Sequence, residues 1–221
     1  STLAAEYFFK NRTNLNFDWV ASSYMDGSGT LQDDYGLIKN NRDKWLMNEE
    51  NNGDVRSIAN LENFCKRLGS NESIDLYFSD IAIDIGNDYN NEEYLERQEV
   101  FGQNVTGLCL LKKGGIMITK QRSFYKPFSI WMISFMSKLF DKFEIHKPTT
   151  SRPYNSEVYL VGIGYKGMSI VQRDYIVGLL GKDDIHTAVC NSSIFRACYE
   201  LTKRQKDSID NCIDLYEKHK K

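Results

Sequence analysis

Proline and histidine are scarce in this sequence, with three residues of each among 221. Cysteine occurs five times, an odd number, and no two cysteines form a CxxC pair. A disulfide framework and a structural zinc site therefore both lose support, and the sequence predicts a reducing environment. Low-complexity tracts are absent, and the hydrophobic content of 41% is too high for a disordered polyelectrolyte.

Long apolar runs are also missing. The longest spans residues 127–140, which is shorter than the roughly 20 residues that a membrane-spanning helix needs. The sequence carries no signal peptide and starts at Ser1 without a methionine. We therefore expect a cytoplasmic protein from which an upstream segment has been removed.

Charge is nearly balanced over the chain, but it is unevenly distributed. Residues 72–99 contain nine acidic residues and one basic residue, whereas residues 100–140 contain six basic residues and no acidic one. A basic stretch of this kind can form a phosphate-facing rim even on a near-neutral protein. The alternative is that the two stretches form solvated faces that partly neutralise each other.

Apolar periodicity predicts strands that alternate with helices. Predicted strands cover residues 17–23, 74–80, 116–120, 143–147 and 157–162, and predicted helices cover residues 3–10, 58–68, 92–111 and 128–140. Residues 112–115 read as a turn. This alternation indicates an α/β protein whose sheet has helices on both faces. Beyond Lys166 the pattern becomes helical to the end of the chain.

Polar side chains follow several of these strands. Ser22, Asp80 and Lys120 stand at predicted strand ends in three different units, and Glu157 enters another strand. Ligands of open α/β sheets bind beyond the carboxyl ends of the strands. A lysine held between carboxylates at such a crevice can orient or deprotonate an alcohol. Exposed strand-end charges without a chemical role are the alternative at this stage.

Two motifs connect these residues with a known family. The segment Gly114-Gly115-Ile116-Met117-Ile118-Thr119-Lys120 and the run from Lys147 to Tyr159, with its KPxxSRPxxSE pattern, resemble the FtsJ-type (RrmJ-fold) ribose 2′-O-methyltransferases. Residues 17–23, Asp33-Asp34, Trp45 and Gly53-Asp54-Val55 narrow the resemblance. They look like the Adrift-type cap-specific mRNA 2′-O-methyltransferases and their relatives in large cytoplasmic DNA viruses.

The resemblance implies a fold and a domain organisation. The expected fold is a Rossmann-like sheet of an S-adenosylmethionine-dependent methyltransferase, with its first strand absent from this chain. Residues 1–166 would form the FtsJ-like domain, truncated at its N-terminus, and residues 167–221 a helical extension. The family's glycine-rich cofactor loop and the first lysine of its Lys-Asp-Lys-Glu tetrad have no match in this sequence.

The remaining tetrad positions match Asp80, Lys120 and Glu157. The resemblance implies that Lys120 orients the ribose 2′-hydroxyl and acts as the general base. Asp80 would position Lys120 and would itself lie near the transferred methyl group, and Glu157 would organise the charge network. S-adenosyl-L-methionine is the implied cofactor. Ser22, Asp54 and Asp80 are its implied contacts, with Asp54 accepting a hydrogen bond from the adenine amino group.

Basic and polar residues beside these positions would flank the RNA. The candidates are Arg122, Lys126, Lys147, Ser151 and Arg152. Phe124 and Tyr125 would either stack on a base or pack in the protein. A metal site is not expected, because His146 has no partner at ligand spacing and the Asp84–Asp88 segment lacks the closing glutamate of a calcium loop.

The expected partner is therefore capped mRNA or another RNA, without a membrane or a metal. An upstream segment or a partner subunit would complete the cofactor site. Two alternatives stay open at the level of sequence. One is a ribosomal-RNA 2′-O-methyltransferase, and the other is a catalytically silent module that binds RNA or a protein partner.

Overall fold

The computed structural model describes residues 2–12, 14–25, 33, 35–47, 52–68, 73–84, 86, 88–182 and 191–220. Asp34 of the Asp33-Asp34 motif lies outside these residues. Contacts along the chain divide it into two compact units, Ser1–Asp54 and Val55–Lys221. Each unit is described by itself below.

The first unit contains two helices and an extended segment. Helix α1 (Thr2–Arg12) confirms the helix predicted over residues 3–10, and α2 (Leu37–Asn40) precedes a single 3₁₀ turn. Within the described residues, the segment predicted as a strand over residues 17–23 pairs through one parallel bridge, between Ala21 and Trp45. A strand is stabilised by cross-strand pairs, so a single bridge leaves this segment irregular.

The second unit contains the sheet. Its strands are β1 (Ile74–Ser79), β2 (Leu111–Gln121), β3 (Phe140–His146) and β4 (Val158–Tyr165). Its helices are α3 (Ile58–Arg67), α4 (Glu92–Leu95), α5 (Arg97–Leu110), α6 (Pro127–Lys138), α7 (Ile170–Val177) and α8 (Ser192–His219). The helix predicted over residues 92–111 is thus interrupted at Glu96. The predicted turn at residues 112–115 is wrong, because these residues belong to β2.

Strand order places two predicted site residues side by side. The order is β1-β2-β4-β3, with β1 and β2 parallel and β4 antiparallel to both of its neighbours. Ser79 is in register with Thr119. Asp80 follows Ser79 and Lys120 follows Thr119, so Asp80 and Lys120 lie at the same edge of the sheet.

Helices α5 and α6 bury one face of this sheet. A Cβ added to Gly107 of α5 would lie 2.6 Å from the Tyr77 ring and 2.8 Å from Met117, so glycine permits the close approach of α5 to β1 and β2. Leu76, Phe78, Ile116 and Ile163 belong to the opposite face by register and are exposed. The α/β class predicted from the sequence is confirmed. Among the described residues, no helix has the length and apolarity to cross a membrane.

Candidate active site

The centre of the site is an ion pair at the carboxyl ends of β1 and β2. The Lys120 ammonium lies 2.8 Å from Asp80 Oδ1, with side-chain exposures of 9% and 47%. The same ammonium lies 3.4 Å from the Asp80 carbonyl oxygen. The lysine is thus nearly removed from solvent, whereas its carboxylate partner faces outward. A hydroxyl group of a bound substrate would meet the Lys120 ammonium, whose position is fixed by Asp80 at the end of β1.

Helix α5 fixes the backbone that carries Lys120. The Gln103 side chain donates a hydrogen bond to the Lys120 carbonyl at 2.8 Å, and the Thr119 hydroxyl donates to Asn104 Oδ1 at 2.8 Å. Gln103 and Asn104 are buried. Buried polar groups of this kind are costly unless paired, so these bonds fix the end of β2. Neither residue is among those predicted from the sequence, although two adjacent polar residues on a helix with buried neighbours are a usable signal.

Tyr159 joins the two carboxylates of the predicted set. It lies opposite Lys120 across the β2–β4 pair, and its hydroxyl donates to Asp80 Oδ1 at 3.4 Å. Burial, together with the neighbouring carboxylates of Asp80 and Glu157, raises the pKa of Tyr159 to about 12. The phenol therefore stays protonated as a donor at neutral pH. Tyr159 lies within the motif that carries the family resemblance, but it was not among the predicted site residues.

Glu157 follows a loop that is closed by a lysine. Lys147 donates to the carbonyl oxygens of Asn155 at 3.0 Å and of Glu157 at 2.8 Å, and it also contacts Asn155 Oδ1. Ser151 Oγ lies 3.2 Å from the same Asn155 oxygen. Burial lowers the pKa of Lys147, while Glu157 opposes that shift. The ammonium thus holds the start and the end of the loop together.

The residues predicted to contact RNA fall into two groups. Lys126 and Arg152 are exposed, and the Lys126 ammonium lies 5.4 Å from the Tyr125 ring centroid. Arg122, Lys147 and Ser151 have intramolecular partners instead, those of Arg122 being Glu92 and Glu96. RNA contact stays a prediction for all five. Phe124 is buried, which matches the packing interpretation, whereas Tyr125 is exposed.

Both predicted cofactor residues, Ser22 and Asp54, belong to the first unit, where Gly53, the residue before Asp54, packs against Ser22 and Ser23. Gly53 has a φ of 75°, and a Cβ at this position would lie 2.0 Å from the Ser23 carbonyl oxygen and 3.0 Å from Ser22 Oγ. The Met25 amide donates to the Asn52 carbonyl at 2.8 Å. The Gly53-Asp54 turn is therefore held against the segment that contains Ser22, and only glycine fits at the contact.

The acidic and basic stretches noted in the sequence meet in the second unit. Asp75 pairs with Lys112, Asp80 with Lys120, and Glu92 and Glu96 with Arg122. Each of these pairs joins one stretch to the other, which supports the interpretation that they partly neutralise each other. Within the described part of the chain, no cluster of three or more His, Cys, Asp or Glu residues could hold a metal ion.

Comparisons with known proteins agree with these motifs. The chain is 43% identical over 157 residues to the probable methyltransferase EP424R of African swine fever virus (isolate Warthog/Namibia/Wart80/1980), an alignment that covers 66% of this chain and 37% of that protein. It is 28% identical over 171 residues to cap-specific mRNA (nucleoside-2′-O-)-methyltransferase 2 of Mus musculus, covering 75% of this chain and 22% of that protein.

A third relative is cap-specific mRNA (nucleoside-2′-O-)-methyltransferase 1A of Caenorhabditis briggsae, 32% identical over 129 residues that cover 57% of this chain and 15% of that protein. The chain thus spans well under half the length of each of these relatives. The model of the FtsJ-like methyltransferase family matches residues 27–165, which include Asp80, Lys120 and Glu157. This match extends over more than half of the sequence, so the chain belongs to the FtsJ-like methyltransferases.

Proposed function

We propose that this chain carries the catalytic residues of an RNA ribose 2′-O-methyltransferase that acts on the cap-proximal nucleotide of mRNA. The observation that carries this proposal is the buried Lys120 ammonium, 2.8 Å from Asp80 at the ends of two parallel strands. The names of the mouse and nematode relatives supply the RNA cap as the substrate class. A cytoplasmic location is proposed with it, on the cysteine content of the sequence.

FtsJ-like methyltransferases use S-adenosyl-L-methionine, which supplies a methyl group activated by a sulfonium. The residues of this chain fit part of such a site. The cradle formed by Gly53 and the Ser22-Ser23 segment has no room for a Cβ, and Asp54 follows Gly53 directly. Ser22 would contact the cofactor ribose and Asp54 the adenine amino group. An upstream segment or a partner subunit would complete the site.

In this proposal the ribose 2′-hydroxyl lies against Lys120 Nζ. Lys120 would first release its ammonium proton to solvent and then, as the amine, accept the hydroxyl proton. The 2′-oxygen would take the methyl group that bound S-adenosylmethionine supplies, with cleavage of the bond between that methyl group and sulfur and release of S-adenosylhomocysteine. Asp80 holds the amine in place, the Tyr159 hydroxyl orients the Asp80 carboxylate by donating a hydrogen bond to it, and Glu157 adds a second carboxylate beside Tyr159. Holding two reactants in line in this way can supply much of the rate acceleration. Lys126 and Arg152, which are exposed, would contact RNA phosphates.

The test is transfer of radiolabelled methyl groups to capped RNA by the chain and by its Lys120→Met variant. We expect Lys120→Met to lose at least about 100-fold in rate, because the group that positions and deprotonates the hydroxyl is gone. Lys142→Met is the matched control, since Lys142 lies in β3 of the same sheet but is exposed and paired with Glu144. It should leave the rate within about twofold.

Three outcomes would contradict the proposal, each in a different way. Equal transfer by the chain and by Lys120→Met would exclude Lys120 as the base. Faster methylation of uncapped ribosomal RNA than of capped RNA would favour the ribosomal-RNA alternative. No transfer, together with no heat of S-adenosylmethionine binding in calorimetry, would favour a silent binding module.

A further inference from the structure

We infer that Glu92, Glu93 and Glu96, at the junction of α4 and α5, are positioning residues that fix the three loops adjoining Asp80, Lys120 and Glu157. This inference rests on the proposed function, in which Asp80, Lys120 and Glu157 are the groups that act on the substrate. All three glutamates are among the least exposed charged residues, with relative exposures of 6% for Glu93 and 4% for Glu96. Each contacts a different combination of loops.

The first loop follows β1 and begins at Asp80. Glu96 Oε1 accepts a hydrogen bond from the Ile83 amide at 3.5 Å, three residues beyond Asp80. The same oxygen lies 3.3 Å from Arg122 Nη1 in the loop that follows β2. One carboxylate oxygen therefore contacts both the loop that starts at Asp80 and the loop that starts just beyond Lys120.

The second loop joins β2 to α6. Glu93 accepts hydrogen bonds from the amides of Tyr125 at 3.1 Å and Lys126 at 2.8 Å, immediately before α6 begins at Pro127. Amides at a helix N-terminus lack partners within the helix and favour a negative charge. Arg122, two residues after Lys120, is paired with Glu92 and Glu96. The loop is thus fixed at both its start and its end.

The third loop precedes β4 and ends at Glu157. Ser156 Oγ lies 3.4 Å from Glu92 Oε2, while the other oxygen of Glu92 contacts Arg122. The two oxygens of a single carboxylate therefore link the residue before Glu157 to a residue shortly after Lys120. Loops that are distant in sequence therefore share the carboxylates of one short segment, of which Glu93 and Glu96 are buried.

Arg122 has a different role in this arrangement from the RNA contact predicted from the sequence. Its guanidinium is 25% exposed and already faces two carboxylates that are 12% and 5% exposed. An RNA phosphate would have to approach Glu92 and Glu96 to reach it. Burying several charges is costly unless they are paired. Ion pairs and hydrogen bonds depend on direction, so they fix the positions of the loops more closely than apolar contacts would.

The test compares Glu92→Gln and Glu93→Gln with Glu99→Gln. Glu99 is the matched control, because it belongs to α5, is 17% exposed and pairs with Arg56 at 3.0 Å. Hydrogen–deuterium exchange is followed in residues 80–84, 121–126 and 148–157, and kcat and KM for methyl transfer are measured in parallel. We expect faster exchange in these loops for the first two variants, and a kcat lower by roughly 10- to 100-fold, since misplacement by about 1 Å can cost that much.

The KM for S-adenosylmethionine should stay within about twofold in all three variants, because loss of an interaction that positions the reacting groups lowers kcat rather than cofactor binding. A Glu92→Gln/Arg122→Gln double variant should lose less than the product of the two single losses, since the residues act as a pair. Loop exchange and kcat equal to those of Glu99→Gln would overturn the inference.

The two proposals can fail separately. If the unaltered chain transfers no methyl group, the proposed function fails, and loop exchange alone decides whether the glutamates hold the loops. If the unaltered chain is active and Glu92→Gln and Glu93→Gln match the Glu99→Gln control, the positioning role fails and the proposed function stands. Should Glu92→Gln unfold, the Glu92→Gln/Arg122→Gln double variant supplies the comparison, because it removes the guanidinium together with its Glu92 partner.

Discussion

Lys120 illustrates how neighbouring residues set the chemistry of one side chain. Its ammonium is almost buried, its counter-charge comes from the adjacent strand, and its backbone carbonyl is held by Gln103. The sequence indicates the residue through a motif and a strand end. The distances and the nearly complete burial come only from strand pairing and from the packing of α5 on β2.

Removal of the Asp80 charge should therefore affect stability as well as activity. Asp80→Asn leaves the Lys120 ammonium, which is 9% exposed, without its carboxylate. We expect the free energy of unfolding to fall by about 1–3 kcal/mol, the usual cost of an incompletely paired buried group. Urea denaturation measures this change.

The control for this variant is Asp75→Asn. The Asp75–Lys112 pair is well exposed, with side-chain exposures of 80% and 48%, and exposed pairs contribute about 0–1 kcal/mol. An equal loss of stability in the two variants would show that burial of Lys120 has no special cost.

Glu96 should give the protein a measurable pH dependence of stability. Burial raises the pKa of Glu96 above its ordinary value of 4.5, although Arg122 acts in the opposite direction. A carboxyl with a raised pKa in the folded state contributes stability that is full below the unfolded pKa and is lost as the pH rises through the folded pKa. Relative to Glu96→Gln, the native protein should therefore become less stable as the pH rises above 4.5.

Urea unfolding of both proteins, repeated from pH about 4.5 to about 7, checks this prediction. The informative quantity is the difference between the two free energies of unfolding, because the loss of the Arg122 contact in Glu96→Gln adds a nearly constant offset. A difference that stays flat or grows with pH would contradict the raised pKa.

At the scale of elements, strand β2 shows why local patterns mislead. Lys112-Lys113-Gly114-Gly115 has the composition of a turn, yet it lies within a strand that starts at Leu111. Pairing of Ile74 with Leu111 extends the ladder past these residues, with a register irregularity before Leu76. Gly114 takes a φ of 80° there, a conformation that glycine adopts without a steric penalty. Pairing on both sides of residues 112–115, of Leu111 with Ile74 and of Ile116 with Leu76, keeps them within the strand.

The β3–β4 pair depends on another glycine. A Cβ on Gly162 would lie 2.7 Å from atoms of the Phe140 ring, which is itself buried. Gly162→Ala should lower the free energy of unfolding by about 1–3 kcal/mol through overpacking. Combining it with Phe140→Leu should cost less than the two separate losses summed, since the smaller side chain makes room. Strictly additive losses in urea denaturation would exclude this contact as the cause.

At the scale of the whole molecule, the hydrophobic core belongs to one unit. All residues of the main buried cluster, from Leu61 to Cys198, lie within Val55–Lys221. The sequence predicted a domain over residues 1–166 and a helical extension over residues 167–221, and that prediction is still untested. Helix α8 belongs to the same unit as the sheet, and its buried residues Ile194 and Cys198 are part of the main cluster.

A protein consisting of residues 55–221 should therefore fold without the first unit. We expect a single cooperative thermal transition, with a midpoint within about 4 °C of that of the full chain, which corresponds to roughly 1 kcal/mol for a domain of this size. Circular dichroism and calorimetry measure the transition. A broad, non-cooperative melt of the shorter protein would show that residues 1–54 are required for the core.

The sequence by itself determined the helices with clear periodicity, the α/β class and the family motif. Pro127 at the start of α6 and Ser57 before α3 act through local contacts, so their effects can be read from neighbouring residues. The motif identified Asp80, Lys120 and Glu157 as candidate site residues, because a motif is read from the order of residues along the chain.

Only the tertiary structure decided which charges are paired. Arg122 and Lys147 resemble RNA contacts in the sequence, yet the first is held by Glu92 and Glu96 and the second closes its own loop. Tyr159 is placed between two carboxylates only because β4 runs antiparallel to β2. Ion pairing, burial and hydrogen bonding depend on residues far apart in the chain, and their geometry exists only once the sheet and helices have assembled.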